Sequence, residues 1–203
     1  MSGKVQEKRD ALRERLVQLA EARIARHGLA ALRARELAED AGCALGSIYN
    51  IFADMDALVL EVNARTLHAI DTVMENALAE TVRPDRQLLA LGQAYLKFAR
   101  QHPLTWRGLF EHHLAEGRDL PEWYAALLMQ LMGRIAEPLA LLQPQLPSHV
   151  ITLRARTMFA AVHGVVSISL DNRFVGLAPD TLESELERFI QLLLDGGAVT
   201  TEV

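Results

Sequence analysis

Apolar residues return at three- and four-residue steps along almost the whole chain, and alternation at period two is nearly absent, so the pattern predicts an all-α fold. Leu12, Leu16, Leu19, Ala20 and Ile24 recur in this way with Arg and Glu between them, which predicts an amphipathic helix over about 5–27, ended near Gly28. Two brief helical patterns follow at about 34–41 and 45–51, separated by Ala41-Gly42-Cys43-Ala44, and a longer one runs from about 55 to 81. Beyond it, Pro84, Pro103, Pro121, Pro147 and Pro179 stand where helices should begin, because a first-turn residue leaves its N–H unpaired anyway. Pro138 and Pro144 should kink or end the helix that begins near Pro121, leaving a loop around Gln143–Ser148. The β-rich run Val165–Leu170 continues the helical pattern of Leu153, Met158, Ala161 and Val162 and reads as helix, with a strand as the alternative. There is no internal repeat, and about nine helices are expected.

Half of the 203 residues are apolar and 23% are charged, enough for one sizeable domain or a small head on a larger body. No stretch approaches about 18 uninterrupted apolar residues, and the first 25 residues mix charged and apolar groups, so a soluble protein that stays in the cytoplasm, without a membrane partner, is expected. The single cysteine, Cys43, excludes an internal disulfide and a Cys-rich zinc site. Net charge is −5, but residues 1–52 carry nine Lys/Arg against seven Asp/Glu, a net +2, while the rest of the chain is at −7. The cationic excess is therefore at the N-terminus, where it suits a nucleic-acid partner or an ordinary solvated helix surface.

Residues 34–51 carry the most constrained pattern. Two short helices can cross at the angle of a helix-turn-helix only if the crossing residue is small and the turn is left-handed, and Ala38 and Gly42 meet those demands. Leu37, Ala41, Cys43, Leu45, Ile48 and Ile51 are then expected to face inward. Ala44, Gly46, Ser47, Tyr49 and Asn50 are left facing out, as the surface that would enter a major groove. Plain core packing of two short helices is the competing reading.

The run Glu36-Leu37-Ala38-Glu39-Asp40-Ala41-Gly42-Cys43-Ala44-Leu45-Gly46-Ser47-Ile48-Tyr49-Asn50-Ile51-Phe52, with Leu58 following, resembles the TetR family of bacterial transcriptional repressors. The resemblance implies a DNA-binding domain over 1–53 and a ligand-sensing, dimerising helical domain over 54–203. Where the family commonly caps its second helix with Thr, this chain reads Leu32-Arg33-Ala34-Arg35; where it usually places a Lys to meet the DNA backbone, this chain has Met55 between Asp54 and Asp56. Each lost phosphate contact lowers the salt slope of binding by about 0.9, so DNA binding weaker than the family's is expected. Ser47 and Asn50 are the candidate base-edge readers, since a hydroxyl pairs with either groove partner and an amide pairs bidentately with adenine. Tyr49 is a phosphate-positioning candidate or a core residue; Arg33 and Arg35, with Arg9 or Lys8 less surely, are candidates for sequence-independent phosphate contacts.

In that family the last two long helices form a dimer interface, which implies here a homodimer through about 148–195. Leu182, Leu186, Phe189, Ile190 and Leu193 repeat at helical spacing in support, with packing inside one chain as the competing reading. Phe159-Ala160-Ala161-Val162-His163-Gly164 is similar to the Trp-x3-His-Gly signature of one C-terminal variety of the family, with Phe in place of Trp. Trp106, Phe110, His113, Tyr124, Leu128 and Met132 fall on helices that usually line the family's cavity. With Phe159 and His163 they are candidate contacts for a moderately hydrophobic small-molecule effector, or ordinary core. The resemblance implies a repressor released from a palindromic operator by that effector. A diverged helical ligand-binding protein that no longer reads DNA is the alternative.

No catalytic residues, metal site or cofactor are expected. A di-iron carboxylate bundle needs Glu-x-x-His pairs, and the residues three before the seven histidines are Ile24, Arg65, Ala99, Leu109, Phe110, Leu146 and Ala160. His-x3-His spacing, a G-x-S-x-G turn and phosphate-binding glycine loops are absent from the sequence. His112 with Glu116 is the one ligand-spaced pair and reads as a surface pair.

Overall fold

The structure is a computed structural model that describes residues 2–114, 117–171 and 175–197; Glu116 lies outside them. The described residues form nine α-helices and no strand. These are α1 (Ser2–His27), α2 (Ala34–Ala41), α3 (Leu45–Ile51), α4 (Met55–Ala79), α5 (Pro84–Gln101), α6 (Pro103–Glu111), α7 (Glu122–Leu142), α8 (Ser148–Leu170) and α9 (Leu182–Gly197), with a 3-10 turn at Leu29–Ala31. The short helices α2 and α3 lie where the glycine-punctuated pattern put them. Pro84 and Pro103 open α5 and α6, Pro147 caps α8, and Val165–Leu170 is the last part of α8. Pro138 does not end α7, which runs four residues beyond it; a proline inside a helix removes one hydrogen bond without forbidding continuation when packing holds both sides. α9 begins three residues after Pro179, which lies in the preceding turn.

Packing divides the chain into two compact units that interleave in sequence. One comprises Met1–His68 with His102–Ala125, the other Ala69–Gln101 with Ala126–Val203. In the first unit, Leu16 and Ile24 of α1, Leu37 of α2, Ile48 of α3 and Leu58 of α4 are almost fully buried in one apolar core. α6 packs on α1 beside Gly108, where a Cβ would make an ordinary contact with Ile24 Cγ2 at 3.6 Å. Ion pairs clamp α4 to α1 at the rim of this core, with Arg65 reaching Glu14 at 2.6 Å and Glu21 at 3.2 Å, and Arg13 reaching Glu61 while lying 4.9 Å over the Phe52 ring.

In the second unit α9 packs along α5, tightly at Gly92, where a Cβ would stand 2.3 Å from Ile190 Cδ1. Leu182, Leu186 and Ile190 are each about 1% exposed within the single chain. The apolar repeat of α9 therefore serves mainly to pack one chain. The residues it leaves open are Leu192 and Leu193. α7 is long and apolar enough to cross a membrane by length and composition alone. It nevertheless carries Arg134, which bonds Asp71 of α4 at 2.9 Å, and Glu137.

Candidate functional site

The turn between α2 and α3 follows from one glycine. Gly42 has φ 64° and ψ 38°, the left-handed region that L side chains avoid, and its N–H donates to Glu39 O while the Cys43 N–H donates to Ala38 O, both at 3.0 Å. This pair of bonds satisfies the last carbonyls of α2 and aims the chain into α3. α3 is then held by Ile48, which is fully buried, and by Phe52 just after it. Ala44, Gly46, Tyr49 and Asn50 are exposed and Ser47 is half-buried, so all five outward candidates reach solvent on one short helix.

One inward expectation fails. Leu45 is 39% exposed. α3 advances about 100° per residue, so Leu45 and Ile51, three before and three after Ile48, stand about 60° to either side of it and cannot share its burial fully. Leu45 consequently joins Tyr49, one turn later, on the open face. Neither short helix has a side-chain N-cap bond, since Arg33 precedes α2 and Ala44 precedes α3.

The cationic side chains of this unit are largely occupied. Arg23 pairs with Asp40 at 3.0 Å and with Glu36, Arg13 is committed to Glu61, and Arg9 donates to the Asn50 carbonyl at 3.1 Å. Arg33 is exposed but folds back onto the Ala30 and Leu32 carbonyls. Arg35 is exposed at the start of α2 and makes no ion pair or hydrogen bond among the described residues. Met55 packs partly buried against the apolar core. The two carboxylates beside it are engaged. Asp54 Oδ1 accepts the Ala57 N–H at 2.8 Å and so caps α4, Arg118 reaches both Asp54 (2.6 Å) and Asp56 (3.3 Å), and His112 Nε2 is 3.1 Å from Asp56. The backbone bond from Ala57, then the guanidinium of Arg118, hold the Asp54 carboxyl below the usual range against a partial desolvation.

In the second unit a small apolar cavity of about 30 Å³ lies among α4, α5, α7, α8 and α9, lined by Gly92, Tyr95, Ile135, Met158, Phe159 and Ile190 among others. Tyr95, which lines it, bonds through its hydroxyl to His163 Nδ1, 2.8 Å away. Phe159 stacks on His163 (5.8 Å, 19°) and meets Tyr95 edge-on at 5.7 Å. Burial lowers the His163 pKa, which favours the neutral imidazole, against an opposing effect of the Asp171 carboxylate.

The eight candidate effector contacts therefore do not gather at that cavity. Phe159 lines it and His163 stands against Phe159 and Tyr95. Leu128 and Met132 are half-buried on α7 and are not among its lining residues. Trp106, Phe110, His113 and Tyr124 belong to the other unit. There Trp106 is buried edge-to-face with the more open Phe110 at 5.6 Å, Tyr124 is buried, and His113 is exposed with its ring bonded to the Glu111 carbonyl. Tyr95 and Gly92 were missed in the sequence; a Gly-x-x-Tyr step inside a helix pattern was the available signal, since a buried tyrosine needs a partner for its hydroxyl. Among the described residues no three His, Cys, Asp or Glu side chains gather to hold a metal ion.

Comparison with known proteins bears on both units. A family model described as bacterial regulatory proteins, tetR family, matches residues 16–62, and one described as tetracyclin repressor-like, C-terminal domain, matches residues 88–193. No curated protein sequence gives a significant match. Among solved structures, the fold is similar to a protein with unknown function from Rhodococcus sp. RHA1 (TM-score 0.74, 19% identity, covering 91% of this chain and 94% of that one). It is similar also to the transcriptional regulator FadR from Bacillus subtilis in complex with stearoyl-CoA (0.67, 15%, 90% and 98%). A third similar structure is RolR in complex with resorcinol (0.67, 17%, 98% of each chain).

Proposed function

Because the chain belongs to the TetR family of bacterial regulatory proteins, we propose that it is a homodimeric repressor that binds a palindromic DNA site and releases it when a small molecule enters its helical body. The observation that carries the reading is the exposed face of α3, with Ser47, Tyr49 and Asn50 held outward on a helix anchored by buried Ile48 and aimed by the left-handed Gly42. Ser47 and Asn50 contact base edges; Tyr49 and Arg35 contact phosphate, with Arg33 added when it leaves the carbonyls it now caps. Arg13 and Arg23 are held in ion pairs, so fewer cations are left to meet phosphate, and the salt slope of binding is lowered accordingly. Arg118 offsets one of the two carboxylate charges of Asp54 and Asp56, so the pair repels DNA less than two bare carboxylates would.

Dimerisation is proposed through α8 and α9. Leu153 and Ile168 on α8 and Leu192 and Leu193 on α9 are exposed in the single chain, and a Cβ added at Gly164 would meet open space. Reading a palindrome requires the two α3 helices of such a dimer to stand one DNA turn apart, about 34–36 Å. For the effector, the cavity lined by Tyr95 and Phe159 suits a largely apolar molecule. At about 30 Å³ the cavity holds little more than a water-sized group, so a larger molecule binds only as α5, α8 and α9 part. Repression is relieved to the extent that the effector prefers the parted state. A soluble protein acting in the cytoplasm follows from this role.

The test is selection of bound fragments from genomic DNA of the source organism by the purified dimer at low and moderate salt. Enrichment of a palindrome at both is expected. A folded dimer that enriches nothing at either salt points instead to a helical ligand-binding protein.

A further inference from the structure

The first turns of α1 carry cations past the core of the first unit. Residues 3–11 are all exposed, and the buried stripe of the helix begins only at Leu16, with Leu12 half-buried before it. The bond that places this stretch comes from Arg9, whose guanidinium donates to the Asn50 carbonyl at 3.1 Å, near the end of α3. At 1.5 Å per residue, α1 extends about 10 Å beyond that contact, to Ser2.

Charge is sorted around this helix. At about 100° per residue, Lys4, Lys8 and Arg15 fall within about 40° of one another, whereas Glu7, Asp10, Glu14 and Glu21 fall within about 60° on a separate strip, the two centres about 110° apart. The acidic strip is largely answered inside the unit, since Glu14 and Glu21 pair with Arg65 and Asp10 accepts from Gln6 at 2.8 Å. On the basic strip Arg15 makes a 3.5 Å bond to the Asp40 carbonyl, while Lys4 and Lys8, one turn apart, make no ion pair or hydrogen bond among the described residues. We propose that Lys4 and Lys8 grip the DNA backbone beside the groove that α3 enters. A major groove is about 12 Å wide and walled by phosphates, so cations carried alongside the end of α3 stand by that wall. Unlike Arg13 and Arg23, the two lysines need break no ion pair to meet a phosphate. The proposal rests on the DNA-binding reading above and adds contacts outside the helix-turn-helix.

The test measures full-length protein, unsubstituted and as Lys4→Gln/Lys8→Gln, on a duplex carrying the selected palindrome and on a scrambled duplex of equal length, by fluorescence anisotropy across a salt series. The double substitution should leave helicity unchanged, weaken both duplexes by the same factor and lower the salt slope by about 1.8 for each bound subunit. Arg86→Gln/Lys97→Gln, which removes two exposed cations from the other unit, should leave the slope as it was. An unchanged slope in Lys4→Gln/Lys8→Gln overturns the proposal, and so does an equal fall in both double variants, which would assign the effect to net charge. If the palindrome is preferred and the lysines change nothing, the regulator reading stands and this one falls. If the scrambled duplex is held through the lysines and no palindrome is preferred, base reading by α3 falls and this inference stands. Binding of neither duplex by the unsubstituted protein overturns both.

Discussion

Gly42 is the residue on which the DNA-reading geometry turns. At φ 64° an L side chain is strained, and Gly42→Ala is expected to cost about 1–2 kcal/mol, read as a lower urea midpoint at unchanged slope. An unchanged midpoint would mean the turn relaxes into another conformation. Two positions on, Ala44 occupies an N-cap without a side-chain acceptor, and Ala44→Ser should stabilise the fold by about 0.5–2 kcal/mol in the same assay. Gly42, Ala38 and Ile48 were legible in the sequence because each obeys a strong local rule: handedness, size at a crossing, centre of an apolar stripe. Leu45 was not, because three-residue spacing looks like a stripe on paper yet swings about 60° from its centre on a helix of 3.6 residues per turn.

Among elements, the start of α4 is the place where the chain departs from the family's usual pattern. Met55 takes the place of a cation and packs inward, while Asp54 caps the helix and Arg118 bridges Asp54 and Asp56. The folded-state pKa of Asp54 is depressed. Its contribution is therefore fully present above the ordinary carboxylate range and is lost as pH falls through the lowered folded value. Asp54→Ala should cost about 1 kcal/mol at neutral pH, and the gap to the unsubstituted protein should close on acidification below pH 4. A gap that stays constant to pH 2 would show that packing, not the carboxylate, is at stake. The sequence pointed to the two acids but not to Arg118, which lies more than sixty residues away and joins them only in the fold. α9 taught a similar lesson. Its repeat of Leu182, Leu186, Phe189, Ile190 and Leu193 was compatible with a dimer seam and with an inner face, and burial assigns Leu182, Leu186 and Ile190 to the inner face. Periodicity reports that a face is apolar, not which partner covers it.

For the whole molecule, the helical class and nine-helix count were readable from period and proline placement, whereas the interleaving of the two packing units was not, because it depends on contacts between distant segments. Tyr95 escaped for the same reason: its partner, His163, is 68 residues away. Assembly makes a prediction at this scale. Gly164→Leu places bulk where the single chain offers open space, so the variant should fold with unchanged helicity yet elute as a monomer on size-exclusion chromatography. A dimer of normal size would move the interface off α8.

The most direct measurement of the central claim compares Asn50→Ala and Arg35→Ala with the unsubstituted protein on the selected palindrome and on a scrambled duplex, by fluorescence anisotropy across a salt series. Asn50→Ala should lose about 1–3 kcal/mol on the palindrome and little on the scrambled DNA. Arg35→Ala should weaken both alike and make the salt slope shallower by about 0.9. Equal losses from both substitutions on both duplexes, or none on either, would contradict a division of α3 and α2 between reading bases and gripping phosphate.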